Sequence, residues 1–215
     1  MAKQLKKKID QTTEEKIKIA ARKLFTRKGF AAVKTRDIAE EAGINLALLN
    51  YYFRSKEKLF KLIMEESFLQ FVKGIAEQFN DENTNIDEKI EKLVESYIDL
   101  FSQYPDLPLF ILSELREHPD AFSSRLDAVT GISQSVFVKQ IREAMKNGVY
   151  PEMHTFHFLA NMMSLIVFPF IGSPMLMKIT DISVKQYQEM IQERKIMIPI
   201  WIKAMLKSNA YKLIK

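Results

Sequence analysis

Two short apolar segments joined by a glycine-containing turn constrain the fold of this chain more than any other feature. Residues 35–42 and a segment that begins near Asn45 each carry apolar side chains at helical spacing. Gly43 lies between them, so the pattern predicts two short helices in a helix-turn-helix arrangement. The inward-facing residues are Ile38, Ala39, Leu49 and Phe53. Because this unit is too small to bury its own apolar faces, the helix of residues 17–25 is expected to pack across both.

The composition of the whole chain favours an all-α fold. Its 215 residues include only six Gly and seven Pro, and the apolar residues recur at helical rather than alternating spacing. Thr12–Glu15 has the pattern of a capping box, which predicts the start of the first helix. Apolar residues from Phe122 to Met145 predict one further long helix. The chain has no Cys, which excludes a disulfide framework, a thiolate nucleophile and a Cys-based zinc site.

Basic charge is concentrated at the start of the sequence. Residues 1–60 contain 15 Lys or Arg and 7 Asp or Glu, a net charge of +8, whereas residues 61–215 contain 17 and 20, a net charge of −3. This asymmetry is typical of a protein that binds a polyanion, although a merely solvated basic surface has the same composition. No apolar stretch follows the basic first residues, so no signal peptide is predicted and a cytoplasmic location is expected.

Residues 153–177 form a stretch without any Asp, Glu, Lys or Arg. A membrane span needs about 20 apolar residues, so this stretch is long enough for one. Polar residues, a Gly and two Pro interrupt it, however. We therefore predict no membrane association, and expect a helix that is buried in the core or between subunits.

Polar, aromatic and basic residues surround the second short helix. Such a helix fits the major groove of B-DNA, where Asn can bind an adenine edge through two hydrogen bonds. Leu46 or Ala47 suits a thymine methyl group, whereas phosphate contacts position the protein without specifying sequence. The predicted DNA-contacting residues are Thr35, Arg36, Asn45, Leu46, Ala47, Asn50, Tyr51, Arg54 and Lys56. Taken singly, Asn45 also suits a helix N-cap and Arg54 a solvated surface position.

These residues lie in a string that resembles the DNA-binding domain of the TetR family of bacterial transcriptional regulators. The string is TRDIAEEAGINLALLNYYFRSKEKLF, preceded by AARKLFTRKGFAAVK, and the resemblance covers about residues 13–60. The matching positions are Phe25, Gly29, Phe30, Ile38, Ala39, Ala42, Gly43, Leu49, Tyr51, Phe53, Ser55, Lys56 and Leu59. The resemblance implies that Thr35, Tyr51 and Lys56 contact the DNA backbone and that residues 45–50 read the bases.

The predicted recognition segment departs from the common pattern of that family at several positions. Asn45 and Leu46 stand where Ser-Lys or Ser-Arg is frequent, Ala47 where Gly is frequent, and Asn50 where Tyr is frequent. A contact from a basic residue at position 46 is therefore lost. We expect the base preference to differ from that of the commoner relatives.

The resemblance also implies how the whole protein is organised. Residues 1–55 are expected to form an N-terminal arm and a helix-turn-helix DNA-binding domain, and residues 56–215 a helical bundle for regulation and dimerisation. The last two long helices are expected to pair with those of a second copy into a four-helix bundle. A homodimer places two reading helices about 34–36 Å apart, so the expected operator on double-stranded DNA is an inverted repeat. Members of the family usually repress transcription and release DNA when a small molecule binds.

Aromatic and Met residues after the helix-turn-helix are candidates for an effector pocket. They are Tyr97, Phe101, Tyr104, Phe110, Phe137, Phe156 and Met163, although each also suits ordinary core packing. Few charged residues accompany them, so a small apolar or aromatic effector of unknown identity is expected. His154 and His157 have a spacing that can hold a metal, but surface or interface positions explain them equally, and no metal or cofactor is predicted.

An enzyme and a DNA-binding protein without an effector are the two alternatives to a regulator. The sequence has no Glu-x-x-His pair, glycine-rich phosphate loop or nucleophile–base motif, so an enzyme is not predicted. A protein that uses DNA to organise chromosome or division machinery has the same DNA-binding domain. Release of DNA by a small molecule distinguishes the regulator from that alternative.

Overall fold

The computed structural model describes residues 2–131 and 134–208. Within these ranges the chain forms α-helices and no strand, as the composition predicts. The helices are α1 (Ala2–Ala32), α2 (Thr35–Glu41), α3 (Leu46–Tyr52), α4 (Lys56–Asn80), α5 (Ile86–Gln103), α6 (Leu107–Glu117), α7 (Pro119–Thr130), α8 (Val136–Lys146), α9 (Thr155–Ile171), α10 (Ser173–Thr180) and α11 (Val184–Lys207).

The chain separates into two compact units. The first, called here the helix-turn-helix unit, comprises Met1–Leu69 with Gln103–Phe110. The second, called the C-terminal unit, comprises Gln70–Ser102 with Ile111–Lys215. The boundary between the units lies inside α4. The assignment of DNA binding to residues 1–55 and of regulation to the remainder stays a prediction.

The helix-turn-helix predicted from the two short segments is confirmed. α2 and α3 are joined by a turn at Gly43, whose φ of 66° is left-handed and favours Gly. α1 packs against α2, and α2 packs against α3. The buried apolar residues of these helices are Ile17, Ala20, Ala21, Leu24, Phe25, Ile38, Ala39 and Leu49. α1 therefore supplies the core that the two short helices cannot form alone.

The start predicted for the first helix is wrong. α1 begins at Ala2, so Thr12–Glu15 lies inside the helix and does not cap it. The residues before Thr12 include neither Gly nor Pro, and Lys is a good helix former. A capping pattern marks the start of a helix only where the residues before it are not helical themselves.

The single long helix predicted from Phe122 to Met145 is also wrong, because α7 and α8 share this segment. Gly131 ends α7 with a φ of 51°, a left-handed conformation that is common at helix C-termini. The Ser135 hydroxyl oxygen then accepts a hydrogen bond from the Val138 N–H at 3.4 Å and caps α8. The apolar spacing continues across the break, so spacing alone does not reveal it.

α11 packs along α9 and satisfies backbone groups that α9 leaves open. Pro169 lies inside α9 and has no N–H, so the Leu165 carbonyl lacks its helical donor. Arg194 of α11 donates to that carbonyl from Nη2 at 2.8 Å. The Tyr187 hydroxyl donates to the Pro169 carbonyl near the end of α9 at 3.1 Å. These bonds fix α11 against α9.

The charge-free stretch forms α9 and α10, which are bent by 74° relative to each other. Among the described residues, no single helix is both long and apolar enough to cross a membrane, and only this bent pair passes that test when its two helices are combined. Phe156, Leu159 and Phe168 of α9 are exposed in the single chain. The stretch is therefore not fully buried in the core of one chain, and burial between subunits stays a prediction.

Gly29 interrupts α1 with a φ of 73° and a ψ of 162°, a conformation that is almost restricted to Gly. We expect Gly29→Ala to lower the free energy of unfolding by about 1–3 kcal/mol, because an L side chain is strained in this conformation. Urea unfolding followed by circular dichroism measures the change. The control is Gly74→Ala in α4, where nothing lies within 4 Å of the added Cβ. That change should instead stabilise the protein by about 0.4–1 kcal/mol, and equal effects at both positions would contradict the argument.

Candidate nucleic-acid interface

Asn45 caps α3 and is exposed to solvent. Its side-chain Oδ1 accepts a hydrogen bond from the Leu48 N–H at 2.8 Å, which satisfies a donor at the helix N-terminus. The N-cap role that Asn45 suits is thus confirmed. Two-point binding of an adenine edge needs both the oxygen and the nitrogen of an Asn amide. Asn45 is therefore a weaker candidate for that contact than an Asn whose amide makes no cap.

α3 has one buried face and one exposed face. Leu49 and Phe53 are buried, and Leu46 is half-buried. The exposed residues of this segment are Ala47, Asn50, Tyr51 and Arg54. The first three lie at i, i+3 and i+4 and so share one face of the helix, and Arg54 directly follows its C-cap. The Tyr51 ring is 77% exposed and packs edge-on against Tyr52, with ring centres 5.4 Å apart.

Thr35 and Arg36 lie at the N-terminal end of α2. Lys34 occupies the cap position, and the Asp37 carboxylate accepts a hydrogen bond from the Lys34 N–H at 2.9 Å. Thr35 is half-buried in the first turn, whereas Arg36 is exposed. α2 therefore carries a cation and a hydroxyl at its start, two groups that commonly bind DNA phosphates, and their contact with DNA stays a prediction.

Lys56 begins α4, but its ammonium group is bonded to the protein backbone. Nζ donates to the carbonyls of Phe30 at 3.0 Å and Val33 at 2.9 Å. It also lies 4.0 Å from the centre of the Phe30 ring. Two of its three N–H donors are thus used within the helix-turn-helix unit. The contact of Lys56 with a DNA phosphate stays a prediction, and the geometry favours a different role.

A second lysine near the helix-turn-helix is engaged by a carboxylate. Lys23 of α1 forms an ion pair with Glu41 at the end of α2. Its hydrogen bond to Glu41 is the main cause that holds the pKa of that carboxyl below its ordinary value. Among the predicted DNA-contacting residues, the cations that are exposed are Arg36 and Arg54.

Two predicted effector-pocket residues lie in an aromatic cluster of the C-terminal unit. The ring centres of Tyr97 and Phe101 are 5.6 Å apart. Phe71 contacts Tyr97 at 4.6 Å, and Phe170 contacts Phe101 at 5.3 Å. Burial raises the pKa of the Tyr97 phenol to about 12. These four residues are called here the Tyr97 cluster; it contains two of the predicted pocket residues, Tyr97 and Phe101, and two aromatic neighbours, Phe71 and Phe170, that were not predicted.

The other five predicted pocket residues lie outside the Tyr97 cluster. Tyr104 and Phe110 belong to the helix-turn-helix unit. Phe137 is buried on α8, Phe156 is 64% exposed in the first turn of α9, and Met163 is half-buried in α9. Their roles in effector binding stay predictions. Aromatic composition does not by itself separate a pocket residue from a core or surface residue.

An open groove of about 510 Å³ lies in the C-terminal unit. None of the seven predicted pocket residues lines it. Its polar and charged lining residues are Asn85, Asp87, Gln140, Glu143, Asn147, Tyr150 and Lys207. Ile86, Ala144 and Val149 also line the groove, so its lining is mixed rather than purely polar, and the apolar effector expected from the sequence stays a prediction without an assigned cavity.

The phenol of Tyr97, a half-buried residue, gives a pH-dependent prediction. Its pKa of about 12 in the folded protein exceeds the value of about 10 for an exposed Tyr, so the folded state holds the proton more tightly. The resulting stabilisation is complete below about pH 10 and is lost as the pH rises towards 12. We expect Tyr97→Phe to remove the last step of the tyrosinate absorbance titration. Tyr51→Phe, which changes an exposed ring, is the control and should leave that step in place.

His154 has a structural role at the start of α9. It is the N-cap residue, and its Nδ1 accepts a hydrogen bond from the Phe156 N–H at 3.2 Å. In the part of the chain that the structure describes, no group of three or more His, Cys, Asp or Glu is placed to hold a metal ion. Capping accounts for the position of His154, and His157 is exposed in the first turn of α9.

A family model described as "Bacterial regulatory proteins, tetR family" matches residues 19–63. The match spans the C-terminal part of α1, all of α2 and α3, and the start of α4. It therefore covers the elements that carry the exposed face of α3, and it ends before the C-terminal unit begins.

Similarity to individual proteins extends over much more of the chain. Probable HTH-type transcriptional regulator YttP of Bacillus subtilis (strain 168) is 24% identical over 206 residues, which cover 92% of this chain and 96% of YttP. The biofilm operon icaADBC HTH-type negative transcriptional regulator IcaR of Staphylococcus epidermidis is 25% identical over 146 residues, 64% of this chain and 78% of IcaR. A solved TetR transcription regulator from Haloarcula marismortui has the same fold, with a TM-score of 0.60, 19% identity, and coverage of 90% of this chain and 98% of that structure.

Proposed function

This chain belongs to the TetR family of bacterial transcriptional regulators, and we propose that it is a cytoplasmic repressor that binds an inverted-repeat operator as a homodimer. The observation that carries the proposal is the exposed face of α3 within a confirmed helix-turn-helix. Negative regulation is the stated role of the relative IcaR, and transcriptional regulation that of YttP. A regulator rather than an enzyme is therefore the function that this face supports.

The dimensions and chemistry of α3 suit the DNA major groove. Its seven residues span about 10 Å at 1.5 Å per residue, and the groove is about 12 Å wide. Asn50, on the exposed face, carries an amide that can pair with an adenine edge. Tyr51, Arg54 and Arg36 are exposed nearby in sequence and supply donors for phosphates.

Exposed apolar side chains on α11 support a homodimer. One face of α11 is buried through Ile191, Ile198 and Ile202, which are at most 4% exposed. Ile196 and Ile200 of the same helix are nevertheless 70% and 59% exposed. A helix that is apolar on two faces needs a second packing partner, because a contiguous exposed apolar surface is unfavourable in water.

α9 and α10 also carry exposed apolar side chains, and these residues together with those of α11 are called here the dimer face. The exposed residues are Phe156, Leu159, Phe168, Met175, Ile179, Val184, Met190, Ile196, Met197, Ile200 and Trp201. A second copy of the chain is the proposed occupant, since a two-fold axis lets one face cover the same face of its partner. The lack of charged residues over 153–177 suits the core of such an interface.

The Tyr97 cluster is the proposed effector site. Its four aromatic rings pack together within the C-terminal unit, and this apolar composition is what a small apolar or aromatic molecule would contact. Such a molecule releases DNA only if it binds the DNA-free conformation more tightly than the DNA-bound one. Once the operator is known, the functions of the genes that it controls indicate which small molecule to test as the effector.

Selection of binding sites from random duplex DNA by the purified full-length protein tests the proposal. We expect an enriched inverted repeat whose half-sites lie about one helical turn, 10–10.5 bp, apart. A variant in which Arg36 and Arg54 are both Gln is the matched control. It should select the same sequence with lower affinity and a smaller salt dependence, because phosphate contacts do not specify sequence.

The other outcomes of the selection separate the alternatives. Salt-sensitive binding without an enriched sequence would favour a protein that organises chromosome or division machinery. The absence of any duplex binding would contradict the DNA-binding proposal itself. Addition of compounds to the protein bound at its selected site then tests whether a small molecule releases it.

A further inference from the structure

We infer that Asp106 and Lys56 are positioning residues for DNA reading, which hold Gly29–Lys34, the kinked end of α1 and the turn into α2, in its binding conformation. This inference rests on the proposed DNA-binding function. It assigns to Lys56 a role other than phosphate binding. It also adds Asp106, which lies outside the region matched by the family model.

The segment needs external partners because the helix is kinked at Gly29 and ends at Ala32. Gly29 kinks α1 with a non-helical φ and ψ, which interrupts the regular pattern of helical hydrogen bonds at this point, and α1 ends three residues later at Ala32. The Lys34 N–H donates to the Asp37 carboxylate, and thus not to the Phe30 carbonyl four residues earlier. The Asp37 N–H donates to the Lys34 carbonyl, and thus not to Val33.

Asp106 supplies one of the missing partners. Its Oδ2 accepts a hydrogen bond from the Phe30 N–H at 2.8 Å. The same oxygen lies 3.6 Å from the position that a Cβ on Gly29 would take, so the carboxylate sits directly against the break in α1. A charged acceptor makes such a bond stronger than one between neutral groups.

Lys56 supplies the partners of the two carbonyls that the segment leaves open. Nζ binds the Phe30 carbonyl at 3.0 Å and the Val33 carbonyl at 2.9 Å. The Phe30 backbone is therefore held at its N–H by Asp106 and at its carbonyl by Lys56. Buried or half-buried backbone groups of this kind are costly to leave without partners.

Ring packing holds the Phe30 side chain between the same two elements. The Phe30 ring centre lies 4.6 Å from that of Phe60, which is one helical turn after Lys56 in α4. Phe60 in turn contacts Phe110, one turn after Asp106, at 6.4 Å. α4 and the segment around α6 thus each contribute one charged and one aromatic residue to this junction.

Operator titration at several salt concentrations tests the inference with Asp106→Ala, Asp106→Asn and Lys56→Met. We expect Asp106→Ala to weaken operator binding about tenfold with an unchanged salt slope, whereas Asp106→Asn keeps an acceptor oxygen and restores most of the affinity. Loss of a negative charge by itself favours DNA binding, so a weaker complex cannot be an electrostatic effect. Asp120→Ala, which removes an exposed carboxylate from α7, is the charge control and should bind as the wild type does.

Lys56→Met separates positioning from phosphate contact. The inference predicts weaker operator binding by Lys56→Met with an unchanged salt slope. The double variant with Asp106→Ala should lose less affinity than the two single fold-losses multiplied together, because both residues act on Phe30. A salt slope reduced by about one per subunit would instead make Lys56 a phosphate contact and overturn the inference for that residue.

Amide hydrogen exchange at Phe30 gives a readout that does not depend on DNA. The Phe30 N–H should be protected in the wild type and in Asp106→Asn, and exchange faster in Asp106→Ala. Wild-type affinity of Asp106→Ala for the operator would overturn the positioning role. If the wild type binds no duplex DNA, both the proposed function and the positioning role are wrong. The exchange experiment then still tests the hydrogen bond between the Phe30 N–H and the Asp106 carboxylate.

Discussion

Ile200→Glu is expected to convert the protein from a dimer into a monomer. Sedimentation or light scattering should give the wild type twice the 25.1 kDa mass of one chain, and the variant a single chain. Ile200 is 59% exposed in the single chain, so Glu is tolerated in the folded monomer. In the dimer, however, each copy would bury an unpaired carboxylate, and the cost of several kcal/mol per charge is incurred twice by symmetry.

Ile19→Glu is the matched control for this change, because Ile19 on α1 is also 59% exposed but lies outside the dimer face. It should remain a dimer. The Ile200 variant should lose at least about a hundredfold in affinity for the complete operator, since the second half-site is no longer held nearby. Its affinity for an isolated half-site should be unchanged, because α3 is intact. A dimeric Ile200 variant would place the subunit interface elsewhere.

Local signals explain why the helix-turn-helix was predictable from sequence. Apolar spacing fixes the buried face of α3, and a left-handed Gly43 fixes the turn before it. Ser55 likewise begins α4 by accepting a hydrogen bond from the Lys58 N–H at 3.2 Å. Each of these features depends on residues fewer than five positions apart, so the pattern in the sequence contains the cause.

Asp106 shows why other parts of the site were not predictable. It directly precedes α6, a position at which Asp commonly caps its own helix, and that local role is what a sequence pattern indicates. Its carboxylate instead binds Phe30, 76 residues earlier in the chain. Lys56 is similar, because its place in the family motif predicts a phosphate contact, whereas its partners are two carbonyls more than 20 residues away. Only tertiary packing brings these groups together.

Asn50→Ala is expected to weaken binding to the best operator by about 1–3 kcal/mol per half-site, or about 2–6 kcal/mol for a symmetric dimer. The physical reason is the loss of two hydrogen bonds between the amide and one base edge. The base preference of the variant should be relaxed at one base pair in each half-site and unchanged at the other base pairs. Repeated site selection with the variant measures both effects, and the thermal unfolding temperature should not change because Asn50 is exposed.

Arg54→Gln is the matched comparison on the same exposed surface. It removes a cation rather than a base-reading amide, so binding should weaken for all sequences alike, and the salt slope should fall by about one per subunit. Asn50→Ala changes no charge and should leave the slope unaltered. If Asn50→Ala instead weakened every sequence equally, Asn50 would be a backbone contact. Base reading would then pass to Ala47 and Leu46, whose apolar side chains can distinguish only a thymine methyl group.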